Sequence, residues 1–164
     1  MRNDAESIPQ RTAQPVYPVM LTGLAGARVV VVGGGVVAAR KVAGLLPIEA
    51  AIMVIAPELG EELRALHAQD AFVWEPRPYQ TGDLAGARLA FAATNVRAVN
   101  AQVADEAARH HILCNVADDP MAGDFHVPAV HRADGMVVAV SSSGQSPRRA
   151  TSLRNRIAQW LAEG

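Results

Sequence analysis

One cysteine, Cys114, occurs in 164 residues, so no internal disulfide can form. Nothing here points to an oxidising compartment, and a zinc site built on several cysteines is excluded. An excess of one charge is missing too. Fifteen Lys and Arg face 16 Asp and Glu, for a net charge of −1, which argues against a nucleic-acid partner. Lysine is almost absent, since Lys41 is the only one and the other cations are arginines. Long apolar runs are also lacking. The longest, residues 29–39, is broken by three glycines and falls short of the roughly 18 residues of a membrane span. A soluble cytoplasmic protein without a membrane partner is the expectation. The first segment, 1–18, is polar, carries Pro9, Pro15 and Pro18, and lacks the apolar stretch of a secretory signal. It reads as a mobile leader.

What the chain does contain is 50 % hydrophobic residues, enough for one sizeable core in a chain of about one domain's length. Short β-branched runs alternate with helical patterns. Strands are expected over 28–32, 51–55, 71–74, 89–92 and 113–116, most of them apolar on both faces, as in a parallel sheet covered on both sides. Helices are expected over 36–46, over 58–69 with Leu59, Leu63 and Leu66 on one side, and over 95–110 with Val96, Val99, Val103 and Ala107 on one stripe. This β-α-β-α-β alternation predicts an α/β fold with a doubly wound parallel sheet over 19–120. Beyond it, 121–164 reads as a small α+β segment: strands over 125–133 and 136–141, then a helix from Pro147 with Ala150, Leu153, Ile157 and Leu161 aligned. That segment is too short for its own core. Its stripe must be buried on the sheet or on another copy of the chain, and the second is favoured, which makes it a dimerisation segment.

The first strand runs into Gly33-Gly34-Gly35-Val36-Val37-Ala38, a G-x-G-x-x-A turn that opens a helix. Gly33 permits the turn, Gly35 lets the backbone approach a pyrophosphate, and Ala38 lets the helix pack on the strand. In this context the pattern is that of a Rossmann-like dinucleotide site; alone it is a glycine-rich turn. The acidic residue that grips a ribose normally ends the second strand, and Glu58 is the only nearby candidate. The same residue could serve merely as an acid in the first turn of a helix. No cation follows before Arg64, so NAD is preferred to NADP.

Common dehydrogenase signatures fail. Neither Tyr17 nor Tyr79 has a lysine four residues on. His110 and His111 suit a helix C-terminus better than a metal, and His126 stands without a ligand cluster, so no metal site is expected. Cys114 reads as a core residue. More promising is Asn115-Val-Ala-Asp118-Asp119-Pro120 at the carboxyl end of the fifth strand, where open α/β sheets bind ligands. Its two carboxylates could supply a general base, or they could simply form an Asp-Asp-Pro turn.

The sequence resembles the NAD-dependent precorrin-2 dehydrogenase module of siroheme synthesis, found alone or fused in siroheme synthases. The resemblance is carried by Tyr17-Pro-Val-Met-Leu21, Val32-Gly-Gly-Gly-Val-Val-Ala-Ala-Arg-Lys41, Ile55-Ala-Pro-Glu58, Ala92-Ala-Thr94-Asn95, Asn115-Val-Ala-Asp-Asp-Pro120, Asp124-Phe-His-Val-Pro128, Val137-Val-Ala-Val-Ser141 and Gly144-Gln-Ser-Pro147, in that order. It implies oxidation of precorrin-2 to sirohydrochlorin with NAD as acceptor, and in bifunctional members ferrous iron insertion. The family's single important aspartate falls on Asp118. Cofactor contacts fall on Gly33, Gly35, Val36, Val37, Pro57, Glu58 and Thr94, and the family is dimeric through the region after the sheet. The substrate is rich in carboxylates. Asn115 and the arginines Arg148 and Arg149 are therefore candidate contacts, guanidinium being suited to carboxylate, although an Arg-rich helix can equally be a solvated face. Glu49 stands where relatives commonly have glycine, Asn95 where they have aspartate, and Arg149 at an apolar position. The chain also ends soon after Trp160, where relatives continue into a helical region over the tetrapyrrole, which bears on iron insertion more than on dehydrogenation. The competing readings are a regulatory module that binds NAD without a reaction, and a ferrochelatase without dehydrogenase activity.

Overall fold

The structure, a computed structural model, describes residues 16–163, so the expected leader lies almost wholly outside the described residues. The chain falls into two compact units, one spanning Met20–His126 and another whose main part begins at Val127.

In the first unit β1 (Arg28–Val32), β2 (Ala51–Ile55), β3 (Val73–Glu75), β4 (Leu89–Ala92) and β5 (Leu113–Val116) form one sheet in the order β3-β2-β1-β4-β5. Every pair is parallel. The valine run of β1 explains its central place. Val29 and Val31 face the core shared with Ala38, Ala39 and Val42 of α1 (Val36–Leu45) and Leu63 of α2 (Glu61–His67). Val30 and Val32 face the other core, with Val103 and Ala107 of α3 (Arg97–Arg109). All four valines are at most 1 % exposed, as a central strand covered on both faces requires. The chain reverses its direction of winding between β1 and β4, the place where such sheets open a ligand crevice.

Four element starts differ from the expectations, each for a local reason. β3 begins at Val73 instead of residue 71, because the chain first drops Phe72 into the core. α2 begins at Glu61 instead of 58, since Leu59 is buried and Gly60 donates its N–H to the Gly34 carbonyl at 2.8 Å. α3 begins at Arg97 instead of 95. The Thr94 hydroxyl accepts from the Val96 N–H, a side-chain turn that delays the helix and leaves Val96 half exposed, off its expected stripe. Finally, 125–128 is not strand. Asp124 donates its N–H to the Cys114 carbonyl and its carboxylate accepts the Cys114 N–H, so the segment is tied back to β5 and His126 precedes β6 (Ala129–Ala133).

After α1 the chain makes one 3-10 turn, Leu46–Ile48, and passes through Glu49 at φ 54°. This left-handed conformation is one that glycine, the residue the family resemblance leads one to expect here, adopts without strain. Exchanging Glu49→Gly is expected to raise stability by about 0.5–1 kcal/mol, read as a higher Tm, since it relieves strain without removing a side-chain contact. The connection from β3 to β4 is held differently. The Glu106 carboxylate, 1 % exposed on α3, accepts the N–H of Gly82 at 2.9 Å, the N–H of Leu84 at 3.1 Å and the Tyr79 hydroxyl. Burial works to raise its pKa, but these donors outweigh burial and leave it below the ordinary carboxylate value.

The second unit is a hairpin of β6 and β7 (Met136–Val140) with α4 (Pro147–Glu163) packed on it. Asp134 and Gly135 both take positive φ at its turn, the pairing a tight hairpin favours. Of the expected α4 stripe, Ala150 is buried and Ile157 and Leu161 are half-buried, whereas Leu153 is 46 % exposed. Among the described residues no helix is long and apolar enough to cross a membrane.

Candidate functional site

Because the strands are parallel, their carboxyl ends lie along one edge of the sheet, and most of the expected site residues follow them. The glycine turn leaves β1 with the Gly33 N–H donated to the Ile55 carbonyl at 2.9 Å, while β4 continues by donating the Ala93 N–H to the Val32 carbonyl at 2.8 Å. Gly33 has φ 129°, and a Cβ there would meet the Ala93 carbonyl oxygen at 2.4 Å. Gly34 is tighter still. Its Cβ would stand 1.9 Å from the Glu58 carbonyl oxygen, so the loop after β2 crosses directly over the turn. The pattern leaves this middle position unassigned, and the run of three glycines was the only signal for it.

Gly35 contrasts with both, having no atom within 4 Å of its Cβ position. It caps α1, no side chain caps that helix, and its first turn carries no acid. The N–H groups of the first turn, at Val36 and Val37, are therefore left for an anion, which a helix N-terminus attracts. Val36 is 62 % exposed beside them, whereas Ala38 is fully buried against the strand. The residues present thus fit a dinucleotide pyrophosphate.

Pro57 and Glu58 are exposed at the end of β2, beside the turn. Glu58 lies outside α2, where Glu61 and Glu62 occupy the first turn, so the reading of Glu58 as a helix-dipole partner is set aside. Arg64, the first cation after it, donates Nε to the Leu59 carbonyl at 2.7 Å and is committed to its own loop.

At the ends of β4 and β5 the structure joins Thr94 to Asp118 through a residue the sequence did not bring forward. Asn100, 1 % exposed in α3, donates Nδ2 to Asp118 Oδ1 at 2.7 Å and to the Thr94 carbonyl at 3.0 Å. Its Oδ1 accepts the Thr94 N–H at 3.1 Å and the Thr94 hydroxyl at 2.8 Å. A polar residue within a helix reads as solvated from sequence; only the apolar neighbours at Val99 and Val103 hinted that this face turns inward.

The adjacent carboxylates divide their roles. Asp119 shapes the loop, accepting the Met121 N–H at 3.2 Å, and pairs with Arg97 at 3.4 Å. Asp118 is exposed, and apart from Asn100 no protein group among the described residues binds its carboxylate. Asn115 is 6 % exposed; Nδ2 donates to the Phe125 carbonyl at 2.8 Å, and Oδ1 is buried without a protein partner. Cys114 beside it is a core residue, its thiol pushed up to about 11 by burial and by the Asp124 carboxylate. Arg148 and Arg149 are exposed in the first turn of α4 and belong to the second unit, so the sheet unit does not itself bring them to this edge. Among the described residues no group of three His, Cys, Asp or Glu is placed to hold a metal ion.

A family model described as "Putative NAD(P)-binding" matches residues 20–129. The siroheme synthase of Pseudomonas putida (strain W619) is 40 % identical over 145 residues, which is 88 % of this chain and 31 % of that protein. The siroheme synthase of Azotobacter vinelandii (strain DJ) is 36 % identical over 148 residues, 90 % of this chain and 32 % of that protein. This chain therefore spans just under a third of those relatives. Among solved structures, SirC, a precorrin-2 dehydrogenase, superposes with a TM-score of 0.72 at 32 % identity, covering 90 % of this chain and 70 % of that one.

Proposed function

Since the chain belongs to a putative NAD(P)-binding family and is similar to the precorrin-2 dehydrogenase SirC, we propose that it oxidises precorrin-2 to sirohydrochlorin in siroheme biosynthesis, with NAD as the acceptor. The observation that carries this reading is the Asp118 carboxylate, free on one oxygen, on the same strand-end edge as an uncapped glycine turn.

The amides of Gly35, Val36 and Val37 receive the pyrophosphate, with Gly33 setting the turn. Glu58 takes the adenosine ribose diol and disfavours a 2′-phosphate, and Pro57 borders the same end. Thr94 stands between this seat and Asp118. When bound, NAD supplies the hydride acceptor. Oxidation removes two hydrogens from precorrin-2, one as that hydride and one as a proton, which Asp118 takes on Oδ2 and passes to solvent. Arg148 and Arg149 pair with substrate carboxylates, and Asn115 supports the substrate side from below through its bond to the Phe125 carbonyl. Replacing both arginines with alanine is expected to raise KM for precorrin-2 about tenfold with kcat nearly unchanged, measured by initial rates at low salt.

The active form in this reading is a homodimer in the cytoplasm. Met136 and Val137 of β7 and Leu153 and Trp160 of α4 are all exposed, 54, 41, 46 and 72 % respectively, in a unit too small to cover them. Light scattering should give twice the chain mass; a monomer would overturn this part.

An anaerobic assay with precorrin-2, with and without NAD and then with ferrous iron, tests the whole. NADH formation with precorrin-2 loss supports the dehydrogenase, and sirohydrochlorin converted on adding iron assigns the chelatase as well. NAD binding without turnover would leave a regulatory module. Iron insertion without any NAD-dependent step would leave a ferrochelatase only.

A further inference from the structure

We propose that Asn100 is a positioning residue that fixes the Asp118 carboxylate and presents one of its oxygens to the substrate. This rests on the reading of Asp118 as the proton acceptor. The Asn100 amide is almost fully buried, and each of its hydrogen-bonding positions is taken: Nδ2 donates twice, to Thr94 and Asp118, and Oδ1 accepts twice, both times from Thr94. The amide cannot be turned over, because that would set its NH2 against the Thr94 N–H and its oxygen against the Thr94 carbonyl. Nδ2 therefore always faces Asp118.

A fixed donor at 2.7 Å occupies Oδ1 and leaves Oδ2 for the proton. The charged groups beside Asp118 are few. Asp119 follows it on the loop and Arg97 approaches from the start of α3, but these two pair with each other at the surface. The end of β4 contributes only Thr94, which is uncharged. The Asn100 amide is thus the group that sets which Asp118 oxygen is left open. Because the same amide holds the turn at Thr94, the proton acceptor and the cofactor edge share one support.

The test is kcat and KM for precorrin-2 in the full chain for wild type, Asn100→Asp, Asn100→Ser and Asp118→Asn, alongside NAD affinity and Tm. Asn100→Asp keeps the shape but sets an acceptor against Asp118 Oδ1, and kcat is expected to fall at least about tenfold with KM nearly unchanged. Asn100→Ser is too short for its hydroxyl to reach Asp118, and kcat should fall in the same way, which keeps the test alive if the aspartate variant does not fold. Lower Tm with kcat at the wild-type value in both variants would make Asn100 merely structural and overturn the proposal. Wild-type turnover by Asp118→Asn would overturn the reading of Asp118 instead, so the two failures are distinguishable.

Discussion

Asp118→Asn lowers kcat by about two to four orders of magnitude, the range of a lost general base, and leaves Tm and NAD affinity close to wild type. The asymmetry follows from the surroundings. The side chain is exposed, and its one hydrogen bond among the described residues runs from Asn100 Nδ2 to Oδ1, an oxygen that the replacement keeps. What disappears is the basic oxygen. Asp119→Asn is the control: Asp119 bonds the Met121 N–H and Arg97, so its loss loosens a loop and one exposed ion pair, an effect of under about 1 kcal/mol. NADH absorbance under anaerobic conditions reads the rate, and calorimetric titration reads the cofactor. Equal rates for Asp118→Asn and wild type would remove the proton-accepting role.

Gly34→Ala should have the largest effect on the scaffold. Its methyl would lie 1.9 Å from the Glu58 carbonyl oxygen, and backbone on backbone leaves no flexible side chain to yield. The β2–α2 loop must lift off the turn, breaking the 2.8 Å bond from Gly60 to the Gly34 carbonyl. A loss of about 2–4 kcal/mol follows from overpacking and a broken backbone hydrogen bond, with NAD affinity falling at least about a hundredfold as Pro57 and Glu58 leave their places. Gly35→Ala separates fold from ligand. Its Cβ meets open space, so Tm should hold, while a methyl where the pyrophosphate approaches lowers NAD affinity by about tenfold. Thermal melts and NAD titrations of the two variants check both statements. Intact binding in Gly34→Ala would mean that the loop crossing does not matter to the cofactor seat.

Much of this architecture is legible from the residues because the sheet is written in apolar runs. β1, β2, β4 and β5 are buried on both faces, so composition alone bounds them. Helix starts are less legible, being decided by single contacts: Leu59 leaves its helix pattern to enter the core, and Thr94 folds its hydroxyl onto Val96 before α3 can begin. In the site, Gly33 and Gly35 have roles that a motif can name. Gly34 does not, since its constraint comes from a carbonyl 24 residues away in sequence. Asn100 and Glu106 are missed for a related reason. A polar residue in a helix gives no sign of burial until its partners arrive from other strands. Glu58 went the other way: its position in the chain allowed two roles, and only the delayed start of α2 separates them.

The buried Glu106 also determines how acid opens this domain. Its folded pKa lies below the unfolded value, so its stabilisation is complete above the ordinary carboxyl range and drains away as the pH drops through the depressed value. Protonation leaves the Gly82 and Leu84 amides competing for a weaker acceptor, while the valine-lined strands have no charge to lose. Acidification should therefore unfasten the segment between β3 and β4 ahead of the sheet, on a hinge set by oxygen and not by hydrocarbon.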